Sequence, residues 1–179
     1  MIDLETLGIG VNAPIISAGV VLFNTDKQDT WSELAKPERT QTYKFNLQES
    51  LDRGLKIDAS TFYWWLKQSQ EARGFLGMSE HVKHSNTEVL KQINEFVRGV
   101  GRLWGNGANF DNPILRNHFN LYDVPFVLPY YADRCYRTVA KAYPKIKVVT
   151  YGIEHDPAAD AVTQVMHLQR LTKEHGVCV

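Results

Sequence analysis

Three short acidic motifs, far apart along the chain, restrict its folding more than any other feature. Asp3 and Glu5 close a short apolar start, in Ile2-Asp3-Leu4-Glu5-Thr6-Leu7-Gly8. Asp111 follows an apolar stretch and a glycine turn, in Trp104-Gly105-Asn106-Gly107-Ala108-Asn109-Phe110-Asp111. His155 and Asp160 stand five apart, in His155-Asp156-Pro157-Ala158-Ala159-Asp160. These residues converge if the strand ending at Glu5 and a strand near Trp104 are neighbours. A cluster of acids beside one histidine suits a two-metal phosphodiesterase. Hard oxygen ligands select magnesium or manganese, and two such ions roughly 4 Å apart can clamp a scissile phosphate. Without cations, clustered carboxylates repel one another, so such a site needs metal to be well ordered.

The chain has 179 residues, which predicts one domain, 1–179, with a substantial core. An apolar content of 44% excludes a disordered chain. Twenty basic residues balance twenty acidic ones. That neutrality argues against wide phosphate tracking, but it allows a grip on one strand end where bound cations supply local positive charge. Cys135 and Cys178 form no C-x-x-C pair and read as free thiols. No signal peptide or membrane span is apparent. The expectation is a cytoplasmic protein without membrane contact.

The pattern predicts short strands at 2–5, 15–24 and 41–46 in an antiparallel meander, a fourth at 103–104 and a fifth at 124–128. Helices are expected at 60–73, 86–97, from Pro113 to about Phe119, at 133–142, and from Pro157 to about Glu174. Strands first, then strand–helix alternation, indicate an α/β fold: a mixed five-stranded sheet flanked by helices. In the first helix Phe62, Trp65 and Leu66 share one apolar face, which reads as core. Trp64 and Gln68, four apart, share another face. There they are suited to stack on and hydrogen-bond a base, and Trp64 is equally suited to core beneath a loop.

Asp111 lies just before one helix and Asp160 one turn into another. Both helix N-termini present positive dipole ends that favour carboxylate and phosphate. His155 immediately precedes the last helix, near the acids but not among them. That placement suits a general base taking a proton from the attacking water. Arg134 and Arg137 are within reach of a phosphate but read better as a solvated helix face, and His81 and His84 read as polar surface. Gly105-Asn106-Gly107 lacks the third glycine of a dinucleotide fingerprint and reads as a turn beside the site.

The order and spacing of Asp3-x-Glu5, Asp111 and His155-x-x-x-x-Asp160 resemble the DEDDh exonuclease family. Within it, the stretches Asp3-Leu-Glu-Thr-Leu-Gly8, Asn12-Ala-Pro-Ile-Ile-Ser17 and Trp64-Trp65-Leu-Lys-Gln68 look like those of DexA-like phage exonucleases and small bacterial exoribonuclease-like proteins. The resemblance implies a ribonuclease H-like fold. It implies 3′→5′ hydrolysis of single-stranded DNA or RNA, or of 3′ overhangs, to nucleoside 5′-monophosphates. It assigns two Mg²⁺ or Mn²⁺ ions to Asp3, Glu5, Asp111 and Asp160, and contact with the terminal nucleotide to Thr6 and Leu7. It leaves a homodimer open. Only Met1 and Ile2 precede Asp3, so either strand one is short or the chain starts late. A non-catalytic nucleic-acid-binding or interaction module on the same fold is the alternative.

Overall fold

A computed structural model describes residues 1–77 and 82–176; His81 and Cys178 lie outside the described residues. Strand β1 (Ile2–Thr6) and strand β2 (Ile15–Val21) are buried at every position. Both faces of this pair are covered, so β2 reads as a nearly continuous apolar run rather than an alternating one. β1 pairs antiparallel with β2, and β2 with β3 (Thr40–Lys44), the expected meander. A four-residue helix, α1 (Trp31–Leu34), interrupts the β2–β3 connection; Thr30 and Glu33 close it with a capping box.

Helices α2 (Leu47–Asp52), α3 (Ala59–Leu66), α4 (Gln70–Gly77) and α5 (Asn86–Phe96) follow. The single helix expected at 60–73 is therefore two, broken at residues 67–69. Of its expected core face, only Trp65 is buried, at 1% exposure; Phe62 and Leu66 are 43% and 49% exposed. Beyond α5 come β4 (Leu103–Gly105), α6 (Asp111–Leu121), a 3₁₀ turn at Tyr130–Ala132, β5 (Asp133–Cys135), α7 (Tyr136–Ala142) and α8 (Pro157–His175).

The fifth strand lies at Asp133–Cys135, not at 124–128, and pairs parallel with β4. Residues 124–128 contain Pro125, which cannot donate to a strand ladder; Val124 and Leu128 are core side chains without strand pairing. The five strands also do not form one continuous sheet. Their ladders make a three-stranded and a two-stranded sheet among the described residues. Between them a side chain takes the place of a backbone ladder: Asp111 Oδ1 accepts from the Leu4 N–H at 3.0 Å.

Among the described residues, the two larger of three apolar clusters flank the strands. Ile2, Leu4 and Val20 pack with Leu90, Ile93, Ile114 and Phe119 on the α5–α6 side. Val21 and Trp104 pack with Ala161, Val162, Val165 and Leu168 on the α8 side. Among the described residues, no helix is long and apolar enough to cross a membrane.

Candidate active site

Side chains alternate along a strand, so residues two apart share a face. Asp3 and Glu5 accordingly line the same pocket, of about 680 Å³, together with His155 and Asp160. The position opposite Asp3 on β2 is Gly19. A side chain there would collide with the backbone of Pro157 and Ala158. With no side chain at Gly19, the first turn of α8 rests directly on the strand, and Asp160, three residues after Pro157, reaches the acids of β1.

Asp111 arrives from the loop that follows β4. It opens α6 itself, two residues before the expected start at Pro113, and is only 1% exposed. Its Oδ1 takes the Leu4 N–H and its Oδ2 takes the Asn106 N–H at 2.5 Å. The turn needs Gly105, because a Cβ there would stand 2.6 Å from Asn112 Oδ1 and 2.8 Å from Asp111 Cβ. Asn112 donates to the Leu103 carbonyl at 3.1 Å, tying α6 to β4.

His155 precedes α8 with φ of +66°, a left-handed conformation unusual for a side chain with a Cβ. Its N–H donates to Asp160 Oδ2 at 3.1 Å, and its Nδ1 lies 4.0 Å from Glu5 Oε1. One potential ligand atom each from Glu5, His155 and Asp160 falls within 4.8 Å of the others. The histidine thus stands closer among the acids than expected. Its ring packs edge-on against Trp64 at 4.9 Å and Trp65 at 5.9 Å.

The electrostatics are those of acids crowded out of water. Burial, then the charges of Asp3, Asp160, Asp111 and Asp156, pushes the Glu5 carboxyl up to about 10. Burial and the neighbouring Asp111 and Asp160 also hold Asp3 well above the usual carboxylate range, although Gln164 and Arg137 oppose the shift. Burial raises Asp111 to about 6 against the pull of its backbone donors. Asp160 is raised by burial too, with the His155 N–H opposing. The donor set is all hard oxygen plus one imidazole, and added positive charge would relieve every one of these shifts. A divalent cation fits that chemistry, and Glu5, His155 and Asp160 have ligand atoms close enough to share one.

Of the remaining expected contacts, Thr6 lines the pocket and Trp64 stands on its rim at 43% exposure. Leu7 is buried with Ile16, Trp65 and Ala72, so its side chain faces inward. The Gln68 amide turns back to the Trp64 carbonyl at 2.9 Å, and Gln68 is not among the lining residues. Trp65 Nε1 donates to the Thr6 carbonyl at 2.9 Å and fixes the chain just after Glu5.

Sequence reasoning missed Gly19 and Gln164 and preferred a solvated face to a phosphate contact for Arg137; Arg137 is exposed and also lines the pocket. Gln164 donates to Asp3 Oδ1 at 2.6 Å. Its position one helical turn after Asp160 was the available signal. Nothing local marks Gly19; only the strand register does.

The fold is that of a nuclease domain, and its pocket gathers Glu5, His155 and Asp160 closely enough to hold a metal ion. The chain belongs to the family described as the 3′-5′ exoribonuclease Rv2179c-like domain, which it matches over residues 1–172. Its fold is similar to the crystallographic structure of the nuclease domain of 3′hExo, a DEDDh family member, bound to rAMP. The TM-score is 0.61 over 97% of this chain and 90% of that one, at 15% identity. The exodeoxyribonuclease of Enterobacteria phage T4 is 31% identical over 123 residues, 64% of this chain. The match spans 52% of that relative's length.

Proposed function

We propose that this protein removes nucleotides from the 3′ end of single-stranded DNA or RNA, or from a 3′ overhang, and releases nucleoside 5′-monophosphates. The observation that carries this reading is the convergence of Asp3 and Glu5 from β1, Asp160 from α8 and His155 on one pocket, with Asp111 of α6 bound to the β1 backbone beside them. The family description, which specifies a 3′-5′ exoribonuclease, supports the polarity.

Two bound divalent cations would offset the clustered charge, polarise the phosphate and lower the pKa of water. The chain's own residues do the rest. Asp3 is oriented by Gln164, and Asp111 by two backbone donors, so neither carboxylate has to reorganise when substrate arrives. His155 accepts a proton from the attacking water as the new P–O bond forms. The bond from phosphorus to the 3′ oxygen of the preceding nucleotide breaks, and that oxygen leaves with a proton from solvent. Trp64 offers a ring at the rim for the terminal base, and Thr6 borders the same space. In this reading Leu7 contributes through its backbone, since its side chain is buried.

The names of the relatives point two ways on the sugar, exoribonuclease for the family and exodeoxyribonuclease for the phage protein. Matched 3′- and 5′-labelled DNA and RNA strands, with magnesium or manganese, test polarity and substrate together. Shortening from the 3′ end with release of 5′-monophosphates is expected. Activity unchanged in excess chelator, or cleavage of closed circles, would overturn the proposal; no cleavage of any strand would favour a non-catalytic binding module.

A further inference from the structure

The pocket is lined by Asp3, Glu5, Glu154 and Asp160, and by a single lysine or arginine among the described residues, Arg137. Arg137 sits in the first turn of α7, which starts directly where β5 ends. β5 runs parallel to β4, so this turn stands at the same sheet edge as the Gly105–Asp111 loop. The guanidinium lies along that loop. Its Nε donates to Asn106 Oδ1 at 3.3 Å, and Cζ and Nη1 both come 3.7 Å from the position a Cβ would take on Gly107.

Among the described residues, no carboxylate comes within the 4.0 Å of an ion pair with Arg137, although its charge reaches both Asp3 and Asp111. The side chain is therefore held by one neutral contact at the edge of the acid cluster. Among the described residues it is spent on no carboxylate, and it lines the space those acids enclose. A guanidinium is a fork of donors matched to phosphate oxygens. In an otherwise acidic pocket, the phosphodiester anion of a substrate, or the dianion of the monophosphate it releases, has one arginine to meet among the described residues.

We propose that Arg137 is a substrate-binding residue of this site: it donates to a non-bridging oxygen of the terminal phosphate held over the acid cluster. This rests on the exonuclease reading. It assigns Arg137 the phosphate, while Trp64 and Thr6 border the nucleoside. The acids position the cations, and the guanidinium takes up charge that they do not cover.

Binding of adenosine 5′-monophosphate and of adenosine, each with Mn²⁺, to wild type and Arg137→Ala separates the possibilities. For Arg137→Ala we expect affinity for the monophosphate to fall about ten- to hundredfold, the worth of a charge-assisted hydrogen bond, with adenosine affinity unchanged. Mn²⁺ affinity without nucleotide should stay the same or rise, because a like charge has left. Arg137→Gln keeps the stem and serves the same test if the alanine variant does not fold. Equal monophosphate affinity in wild type and both variants overturns the role of Arg137 and leaves the exonuclease reading intact. A parallel loss of Mn²⁺ affinity also overturns it, since Arg137 would then be ordering the acids. Wild type that fails to bind the monophosphate with Mn²⁺ overturns both readings.

Discussion

His155 combines two properties that substitution can separate. Its left-handed backbone disfavours any residue with a Cβ, by about 1–2 kcal/mol. In the proposed reaction its imidazole is the base. His155→Gly relieves the first and removes the second. Glycine also loses more conformational entropy on folding, about 0.5–1 kcal/mol, so we expect melting to stay within about 1 kcal/mol of wild type. Turnover should fall by roughly 10²–10⁴. Mn²⁺ titration of the same variant completes the assignment: retained affinity marks a base, whereas a loss as deep as that of Asp160→Ala marks a ligand. Gly19 gives the opposite pattern. Gly19→Ala forces a methyl against the first turn of α8. Overpacking of this kind costs about 1–3 kcal/mol, and it lifts Asp160 away from Asp3. Reduced stability together with reduced turnover of the folded fraction is expected; a variant as active and as stable as wild type would show that the helix can shift at no cost. The acids and His155 stood out in the sequence because the proposed metal and proton chemistry would draw on those side-chain types. Gly19 and Gln164 did not, because their roles exist only once register and helix packing are known.

At the scale of elements, the meander and α8 were readable from apolar runs and the Asp156-Pro157 start. α3 and β5 were not. Apolar periodicity in α3 suggested a buried Phe62–Trp65–Leu66 face, but a short helix on the rim of a pocket leaves large side chains exposed. β5 has three half-buried residues, without β-branched side chains, and one of them is tied up by an ion pair from Asp133 to Arg116 at 2.6 Å. Such a strand carries no periodic signal. The division within α3 is testable. Trp65→Ala removes a buried ring and its hydrogen bond to Thr6, and should cost about 3–5 kcal/mol in a denaturant titration. Phe62→Ala should stay within roughly 0.5 kcal/mol of wild type. Trp64→Ala should leave the fold intact and weaken single-strand binding by ~1–3 kcal/mol if its ring stacks on a base. Unchanged strand affinity in a folded Trp64→Ala protein would remove Trp64 from the substrate path.

For the whole molecule, the acid cluster links stability to pH and to metal. Glu5 rises from an ordinary 4.5 to about 10, and Asp111 from 3.8 to about 6. The native state without cations therefore holds protons that the unfolded chain releases. The stability this gives is fully present below the ordinary carboxylate values and is lost as pH rises through about 6 for Asp111 and towards about 10 for Glu5. His118 works at the other end. Burial beside Phe45 lowers it from 6.5 to about 4, with its Nδ1 set on the Ile114 carbonyl at 2.9 Å. Its contribution is present above 6.5 and is lost as pH falls towards 4. Cations reverse only the first of these effects, because they displace protons from the carboxylates and leave His118 untouched. The increase in melting temperature produced by a fixed concentration of Mg²⁺ or Mn²⁺ should therefore grow as pH rises from 5 to ~8, in proportion to the tighter binding. Asp3→Asn keeps the shape of the side chain and removes one charge from the cluster. Without metal it should melt higher than wild type at pH ~8, and the increment from metal should shrink at every pH. Calorimetric scans of both proteins with and without Mn²⁺ across that range decide the matter. A metal increment independent of pH, or equal in wild type and Asp3→Asn, would mean that the buried acids of β1 do not hold the ions.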